Sequence, residues 1–598
     1  MGHGIAKQPG TGDLKMHMLS EHRQKQLRLL LLILSALASL KMIFFSLGLD
    51  EEYQLVMAYR NVRGDRLFLD MWEPHQSSAF LCTVLMRPWL ALFGTTGVVL
   101  YLRLCGTLLH LGISLYLYRV LKDSLDVKYA WLLALIYYNT IPKQIIMPEF
   151  GIMQVWCYTL LTLFFVRYYT CGKKRRYLVL AALSLVLNVL SYPSCLVLFP
   201  FVLLLPARFS GSSKWRDMGI ITFVCALCGL GYLGMLFTYT TPGALLETLS
   251  HILSGDVTHS LTPGKKLLSF LTSFLYMAAL WGLCLALATA VAKRKNLNRK
   301  QTCCLTAVFA CFVEFFYWTI LGKGYETMHI HLAAFALAGL CACRNSAAGR
   351  PNHTLSASDT CEGMNKVIPV ADPMQRKFLQ YIMAGAVLSL LAVVYLTDLT
   401  LTESIPHAMP AAFCGAVLLI SAIEQNGNEQ ESKWIYATLL LWCLTAVFGK
   451  AYPLRSGTDY NNVLQSGGIM REGPAAGIIS NYMGAYIYNC DHEDWQSYIQ
   501  DGDRVLIMVD QVMNLGTIQY LFKDVEISHY SIVNPTAYDE RLLEYWEMYP
   551  EKYPNVIIAD CWYGQLMTDP EGWLIEHIEN EFGYTQVNDG RYIRIYRK

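Results

Sequence analysis

Apolar stretches of about 20 residues recur along this chain, and they constrain its fold more than any other feature. A helix needs about 20 apolar residues to cross about 30 Å of hydrocarbon, and runs of this kind recur from Leu27 to about Lys450. Only 16% of the 598 residues are charged, against about 25% in an ordinary soluble domain. The sequence therefore predicts a polytopic α-helical membrane protein.

Thirteen segments are predicted to span the membrane, near 27–49, 97–121, 128–141, 151–169, 177–192, 194–207, 218–238, 265–292, 302–321, 328–343, 377–397, 408–424 and 433–450. The first is too long for the core of a signal peptide and lacks a small-residue cleavage pattern, so we expect it to be retained. A shorter apolar segment, Ala79 to Phe93, contains Arg87 and Pro88 and is expected to lie along the membrane surface.

Clusters of basic residues between the apolar segments predict the orientation. They lie at 173–176, 208–216 and 293–300, and basic loops are preferentially cytoplasmic. Together with the basic N-terminal tail, residues 1–26, they place the C-terminus outside a plasma membrane. The net charge of +2 provides no global field for nucleic acid, so no nucleic-acid partner is expected.

The C-terminal part differs in composition from the rest. From about Asn461 the chain carries dense charges and short alternating strand and helix signals, with a hairpin turn at Asn588-Asp589-Gly590. We therefore divide the chain into a membrane domain, 27–450, and a small extracytoplasmic α/β domain, 451–598. Most of the 18 cysteines lie in apolar runs, so a disulfide scaffold is not expected.

Acidic residues gather in the first outer loop, residues 50–78. Asp50-Glu51-Glu52 stand at the outer end of the first predicted span, and Glu73 follows in Trp72-Glu73-Pro74-His75-Gln76. The alternative is a solvated cap that only marks the membrane surface. Acids, amides and aromatics in one loop are nevertheless typical of a carbohydrate site. The candidates are Asp50, Glu51, Glu52 and Glu73 for catalysis, with His75 and Gln76 for substrate binding.

The segment from Leu49 to Arg103 resembles a known family. Acids at the end of span one, a short helix, Gly-Asp, a Trp-Glu-Pro turn, a surface helix ending Leu92-Phe93-Gly94 and then an Arg are similar to the membrane glycosyltransferases of GT-C fold. That group contains the lipid A aminoarabinose transferase and the protein O-mannosyltransferases. The resemblance implies that Asp50 is catalytic and that Glu73 matches the acid of a Glu-Lys-Pro-Pro turn, although this chain lacks the Lys.

The resemblance also implies a polyprenyl-phosphate-linked sugar as donor, and outward-facing acids have no access to cytoplasmic nucleotide sugars. Because phosphate is a good leaving group, the reaction needs a base for the acceptor hydroxyl and cations for the phosphate. Asp50 is the expected base, in a single displacement that inverts the anomeric carbon. The acceptor is a glycan, lipid or protein outside the cytoplasm.

Cations for the phosphate are expected near the outer span ends. Lys323 and Arg103 are the candidate cations, and the resemblance implies that Lys323 holds the lipid phosphate together with Tyr325. Lys323 is equally explained as an interfacial lysine that snorkels to water. Glu314 and His329 are further substrate-binding candidates, with helix–helix hydrogen bonding as the alternative for Glu314. His329 and His331 are two residues apart and cannot share one face of a helix. No metal site is therefore predicted, and metal dependence stays open.

Three other functions remain possible. A transporter or flippase of lipid-linked sugars also has many spans, but transporters usually show repeated halves and midplane sites, and no repeat is visible. A glycan polymerase or ligase needs a large late outer loop, for which 239–264 is the candidate. A binding-only surface protein would place its function in the C-terminal domain.

Overall fold

The computed structural model describes residues 11–255, 262–320, 329–343, 373–397, 399–425, 428–456, 459–508, 516–532, 540–562, 565–566 and 577–598. Helices dominate up to residue 451. They are α1 Thr11–Phe44, α2 Leu49–Arg63, α3 Phe80–Phe93, α4 Val98–Leu121, α5 Val127–Asn139, α6 Phe150–Thr170, α7 Arg175–Ser191, α8 Leu198–Phe209, α9 Lys214–Leu236, α10 Pro242–Gly255, α11 Pro263–Lys295, α12 Arg299–Thr319, α13 Ile330–Cys343, α14 Pro373–Leu396, α15 Leu401–Ser404, α16 Met409–Glu424 and α17 Glu429–Ala451.

Within the described residues, nine helices are long and apolar enough to cross a membrane. The protein is therefore a polytopic helical membrane protein, as the apolar runs predict. Each of the thirteen predicted spans coincides with a helix, but four of these helices fall short of that criterion. The count of thirteen crossings stays a prediction.

The first predicted span ends earlier than expected. Helix α1 stops at Phe44, the chain turns through residues 45–48 with Ser46 at φ 63°, and α2 starts at Leu49. The acids at 50–52 thus begin a new helix instead of ending the first one. Helix α2 ends at Gly64 with φ 102°, a left-handed conformation that favours glycine. The surface helix predicted at Ala79 to Phe93 is present as α3.

Helices α13 and α16 pack closely because a glycine of each lies at their contact. A side-chain carbon at Gly339 of α13 would lie 2.1 Å from the backbone oxygen of Gly415 in α16. Only glycine permits that approach, which is the usual device for packing helices in a membrane. It places α13 firmly in the interior of the bundle.

The C-terminal part is built on a mixed sheet flanked by helices α18 Tyr482–Tyr498 and α19 Glu540–Met548. Its strands are β1 Pro453–Ser456, β2 Asp459–Asn462, β3 Gly468–Ile469, β4 Ile479–Ser480, β5 Arg504–Met508, β6 Glu526–Ile527, β7 Val556–Trp562, β8 Gln565–Leu566, β9 Thr585–Gln586 and β10 Ile593–Arg597. The main sheet has the order β6-β5-β7-β10-β9, with β8 beside β7. Strand β5 runs parallel to both neighbours, and β9 and β10 form the predicted hairpin. A small α/β domain is confirmed.

Candidate active site around the first outer loop

Asp50 lies in the first turn of α2 and forms an ion pair with a lysine from another loop. Its Oδ2 is 3.1 Å from Nζ of Lys143, and the two side chains are 25% and 5% exposed. The lysine sits in the connection between α5 and α6, where Lys143 and Gln144 have φ values of 52° and 57°. Two successive non-glycine residues in this region are strained, and such strain is concentrated at functional sites. The fold thus holds a buried ammonium beside a partly exposed carboxylate.

Glu51 points away from this pair and is buried against Arg103 of α4. The guanidinium donates from Nε and Nη2 to the two carboxylate oxygens, each at 2.6 Å. Such a fork-to-fork pair is both strong and geometrically specific. Glu51 is therefore committed to orienting α2 against α4.

Arg103 also organises the turn that precedes α2. It donates to the backbone oxygens of Ile43, Phe45 and Ser46. With the two bonds to Glu51, all five N–H groups of the guanidinium have acceptors. Arg103 was predicted to bind the donor phosphate, but this geometry instead has it fix the chain reversal between α1 and α2 that aims Asp50.

Glu52 faces the C-terminal domain. Its Oε2 accepts a long hydrogen bond of 3.4 Å from the Thr517 hydroxyl, and Oε1 is buried without a hydrogen-bond partner among the described residues. Burial raises the pKa of Glu52 well above its ordinary value, against the opposing effect of the Ile518 N–H. Glu52 thus lies buried against the C-terminal domain, and the shift of its pKa disfavours the anionic form.

Glu73 joins the outer loop to the same domain. It accepts hydrogen bonds from the Tyr53 hydroxyl at 3.2 Å, from the Ser531 hydroxyl at 3.2 Å and from the Ile532 N–H. Burial raises the pKa of Glu73 to about 7, although the Ile532 N–H and the charge of Arg60 oppose the shift. Glu73 is thus a buried link between domains that titrates near neutral pH.

His75 belongs to a cluster of rings next to the Asp50–Lys143 pair. It stacks on Phe150 with centroids 4.6 Å apart and meets Tyr192 edge to face. The Lys143 ammonium lies 4.6 Å from the centroid of the same Phe150 ring. We call His75, Phe150 and Tyr192 the ring cluster. Their side chains are buried, and the cluster packs beside the ammonium of the Asp50–Lys143 pair.

Gln76 has a different role from the one expected. Its side chain accepts from the Phe68 N–H at 2.8 Å and donates to the Glu73 backbone oxygen at 3.1 Å. The side chain is buried, so it closes the loop on itself. The geometry brings His75, not Gln76, toward Asp50.

The described residues around Asp50 do not form a metal site. Asp50 belongs to no group of three His, Cys, Asp or Glu side chains close enough to share an ion. Another acid of this region, Glu149, caps α6 by accepting from the Gly151 and Ile152 N–H groups, both at 2.6 Å. Burial raises the pKa of Glu149, while the charge of Lys143 lowers it and that of Asp50 raises it. No metal-dependent step is assigned to this site.

The late candidates fall into two groups. Lys323 and Tyr325 lie outside the described residues, and their phosphate-binding role stays a prediction. Glu314, His329 and His331 meet at the start of α13. The expectation that the two histidines diverge assumed that both are helical, but α13 begins at Ile330. His329 precedes the helix, and its ring turns back toward His331.

Sequence reasoning missed Lys143. It is a lone basic residue in a short connection that the topology predicts to be outside, Ile141-Pro142-Lys143-Gln144. The available signal was its place on the same side of the membrane as the acids. Its pairing with Asp50, 93 positions away, depends on how α5 and α6 pack.

Comparisons place the chain beside membrane glycosyltransferases of known structure. No protein-family model and no curated protein sequence matches it. It is similar to ArnT from Cupriavidus metallidurans bound to undecaprenyl phosphate, with 12% identity over 96% of this chain and 98% of that one and a TM-score of 0.45.

It is also similar to the Archaeoglobus fulgidus oligosaccharyltransferase in complex with Zn and sulfate, at 13% identity over 89% and 68% of the two chains with a TM-score of 0.42. Another structure from that organism, the oligosaccharyltransferase AglB with an inhibitory peptide and a dolichol-phosphate, gives 12% identity over 90% and 70% with a TM-score of 0.39. These likenesses are loose and identify no residue role.

Proposed function

We propose that this protein is a membrane glycosyltransferase that moves a sugar from a polyprenyl-phosphate-linked donor to an extracytoplasmic acceptor. The observation that carries the proposal is the Asp50–Lys143 pair, in which a partly exposed carboxylate lies 3.1 Å from a buried ammonium. Asp50 is the general base for the acceptor hydroxyl. The displacement inverts the anomeric carbon.

Asp50 is preferred over its neighbours because it alone combines access with an available charge. Glu51 is bound bidentately by Arg103. Glu52 and Glu73 are both buried, and each bonds a residue of the C-terminal domain. We therefore assign Glu51, Arg103 and Glu73 as positioning residues that hold α2 and its loop.

Lys143 supplies positive charge beside the base. A fixed cation that faces a departing phosphate stabilises the charge that develops in the transition state. In the ground state the same ammonium orients the Asp50 carboxylate. Lys143 in this way provides the charge that the missing Lys of the Glu-Pro-His turn would otherwise bring, and Lys323 and Tyr325 remain proposed partners of the lipid phosphate.

The ring cluster supports the cation of the ion pair. Stacked and edge-on rings of His75, Phe150 and Tyr192 lie next to it, and all three side chains are buried. The face of an aromatic ring attracts a nearby ammonium. We propose that the cluster holds Lys143 in place beside Asp50.

The test compares Asp50→Asn with a matched control. Asp123→Asn removes the carboxylate from another partly exposed ion pair, with Arg167 at 2.5 Å, in the connection that follows α4. Cells lacking the protein are complemented with each variant, and their glycolipids and surface glycans are measured by mass spectrometry. Purified variants are also incubated with undecaprenyl-phosphate sugars and, as the source of acceptor, an envelope extract of the cells that lack the protein. Formation of the new glycoside and release of undecaprenyl phosphate are followed together.

We expect Asp50→Asn to abolish transfer at normal expression, and Asp123→Asn to leave it near the wild-type level. Transfer retained by Asp50→Asn would refute the assignment of the base. Movement of an unchanged lipid-linked glycan across the membrane, with no new glycosidic bond, would indicate a transporter instead.

A further inference from the structure

A second polar cluster lies inside the bundle, where α12 meets the start of α13. Glu314 of α12 and His329 and His331 around the N-terminus of α13 are all buried, and their ligand-type atoms lie within 4.8 Å of one another. Charged and imidazole groups at such depth are costly in a membrane and are retained mainly where they bind something. The proposed transfer reaction at Asp50 assigns none of the three a role.

The distances in this cluster fit metal ligation better than hydrogen bonding. His331 Nδ1 is 3.4 Å from Glu314 Oε2, longer than the 2.7–3.2 Å of an ordinary N–H···O bond. Two ligands about 2.0–2.1 Å from a tetrahedral zinc ion are themselves about 3.4 Å apart. The three ligand-type atoms of the cluster lie 3.4 to 4.8 Å apart. A metal ion placed at equal distance from all three would therefore be about 2.0–2.8 Å from each. Small shifts of the side chains would shorten the longer distances to those of zinc ligands.

The backbone holds these ligands in place. The two oxygens of Glu314 accept from the N–H groups of His329 at 3.2 Å and Ile330 at 2.9 Å. Each oxygen keeps a second lone pair for a ligand bond. His329 has φ 40°, an uncommon conformation for a residue with a side chain, and it brings the two imidazole centroids to 5.8 Å. These contacts correspond to the outer hydrogen bonds that orient metal ligands in known sites.

We propose that Glu314, His329 and His331 bind a divalent first-row transition metal ion, with zinc as the ion that this ligand set favours. Two imidazoles and one carboxylate are a recurrent zinc set, and water completes the tetrahedron. The ion neutralises the buried carboxylate and ties the outer end of α12 to the first turn of α13. Its role is to hold these two helices together.

The experiment measures metal in the full chain, purified in detergent without chelators or a polyhistidine tag. Elemental analysis by mass spectrometry is applied to the wild type, to His331→Ala and to Glu314→Gln. The matched control is His110→Gln, because His110 is an equally buried histidine. Its ring bonds Trp156 and the Tyr137 backbone oxygen, and it pairs with no acid among the described residues. We expect about one metal ion per chain in the wild type and the control, and a loss of at least about fivefold in the two cluster variants.

His331→Cys keeps the test decisive if the other variants fold poorly. A thiolate is a good ligand for zinc, so this variant should retain the metal. After replacement by cobalt it should also show a sulfur-to-metal charge-transfer band that the wild type lacks. Intense d–d absorption of cobalt in the wild type would report the tetrahedral site. A wild-type chain without stoichiometric metal, or metal retained equally by His331→Ala and Glu314→Gln, would overturn the proposal whatever the outcome for Asp50.

Discussion

At the scale of single residues, Lys143 has two proposed effects, one on the base and one on the leaving group. Its charge orients the base, and in the proposed reaction it also stabilises the departing phosphate. A side chain that keeps the charge should therefore preserve most of the rate, whereas one that keeps only the volume should not.

We expect Lys143→Met to lower kcat by about 10²–10³-fold, the usual effect of removing one transition-state stabiliser. Lys143→Arg should stay within about tenfold of wild type. Both variants are assayed for release of undecaprenyl phosphate at saturating donor. Equal rates in Lys143→Met and wild type would limit Lys143 to a structural role.

The raised pKa of Glu73 predicts that the free energy of unfolding depends on pH. Its pKa is raised by burial from 4.5 to about 7, so the folded chain holds this proton more tightly than the unfolded chain does. The resulting stabilisation is complete below about pH 4.5, decreases as the pH rises and is lost above about pH 7, for a total of about 3 kcal/mol.

Glu73→Gln imitates the protonated carboxyl and should remove this dependence. Between pH 5.5 and 8.5, the thermal midpoint of the wild type should fall relative to that of Glu73→Gln. The midpoints are measured by tryptophan fluorescence in detergent. A constant difference across this range would contradict the titration of Glu73 near neutral pH.

At the scale of elements, Arg103 couples three pieces of the fold. It joins α4 to the carboxylate of Glu51 and to the turn at 45–48. The direction of α2, and with it the position of Asp50, depends on these bonds. Arg103 is thus a positioning residue for Asp50, although it lies on another helix.

Arg103→Lys keeps a positive charge but cannot reproduce the five-donor fork. We expect it to destabilise the chain by about 2–4 kcal/mol, since it leaves buried acceptors unpaired. Transfer should be lost together with stability, in contrast to Asp50→Asn, which should lose only transfer. Thermal unfolding and the transfer assay on the same preparations distinguish the two. Normal stability with lost transfer in Arg103→Lys would instead support its original assignment to the phosphate.

At the scale of the whole molecule, the orientation is a prediction that labelling can test. The basic loops place residue 174 in the cytoplasm, and an odd number of crossings places residue 497 outside. Both positions are exposed. Intact cells that carry Lys174→Cys or Ser497→Cys are treated with a membrane-impermeant maleimide.

Labelling above the level of the parent chain is expected for Ser497→Cys alone. After lysis, both variants should react equally. Labelling of Lys174→Cys in intact cells would reverse the orientation and remove Asp50 from the extracytoplasmic side.

The C-terminal domain also belongs to this scale, because it completes the outer loop. The Trp72 N–H bonds the Tyr530 backbone oxygen, Arg60 donates to the His529 backbone oxygen, and Glu73 accepts from Ile532. Through these bonds the domain covers the loop that carries the acids. Aromatic residues of the domain take part in this contact, because Tyr530 and Tyr545 are buried together with Trp72 of the loop.

Much of this architecture follows from the sequence by itself. Apolar run length determines which segments are helical and membrane-sized, and a left-handed glycine at position 64 sets the end of α2, because bilayer thickness and backbone sterics act locally. The acids at 50–52 and 73 were identifiable because they stand in the loop that follows the first apolar segment. Only the tertiary structure decided which acid stays accessible and that Lys143 is its partner, because the pair joins residues that are distant in the chain. It also decided that Glu314, His329 and His331 converge, because this depends on the packing of α12 against α13 and on the residue at which α13 begins.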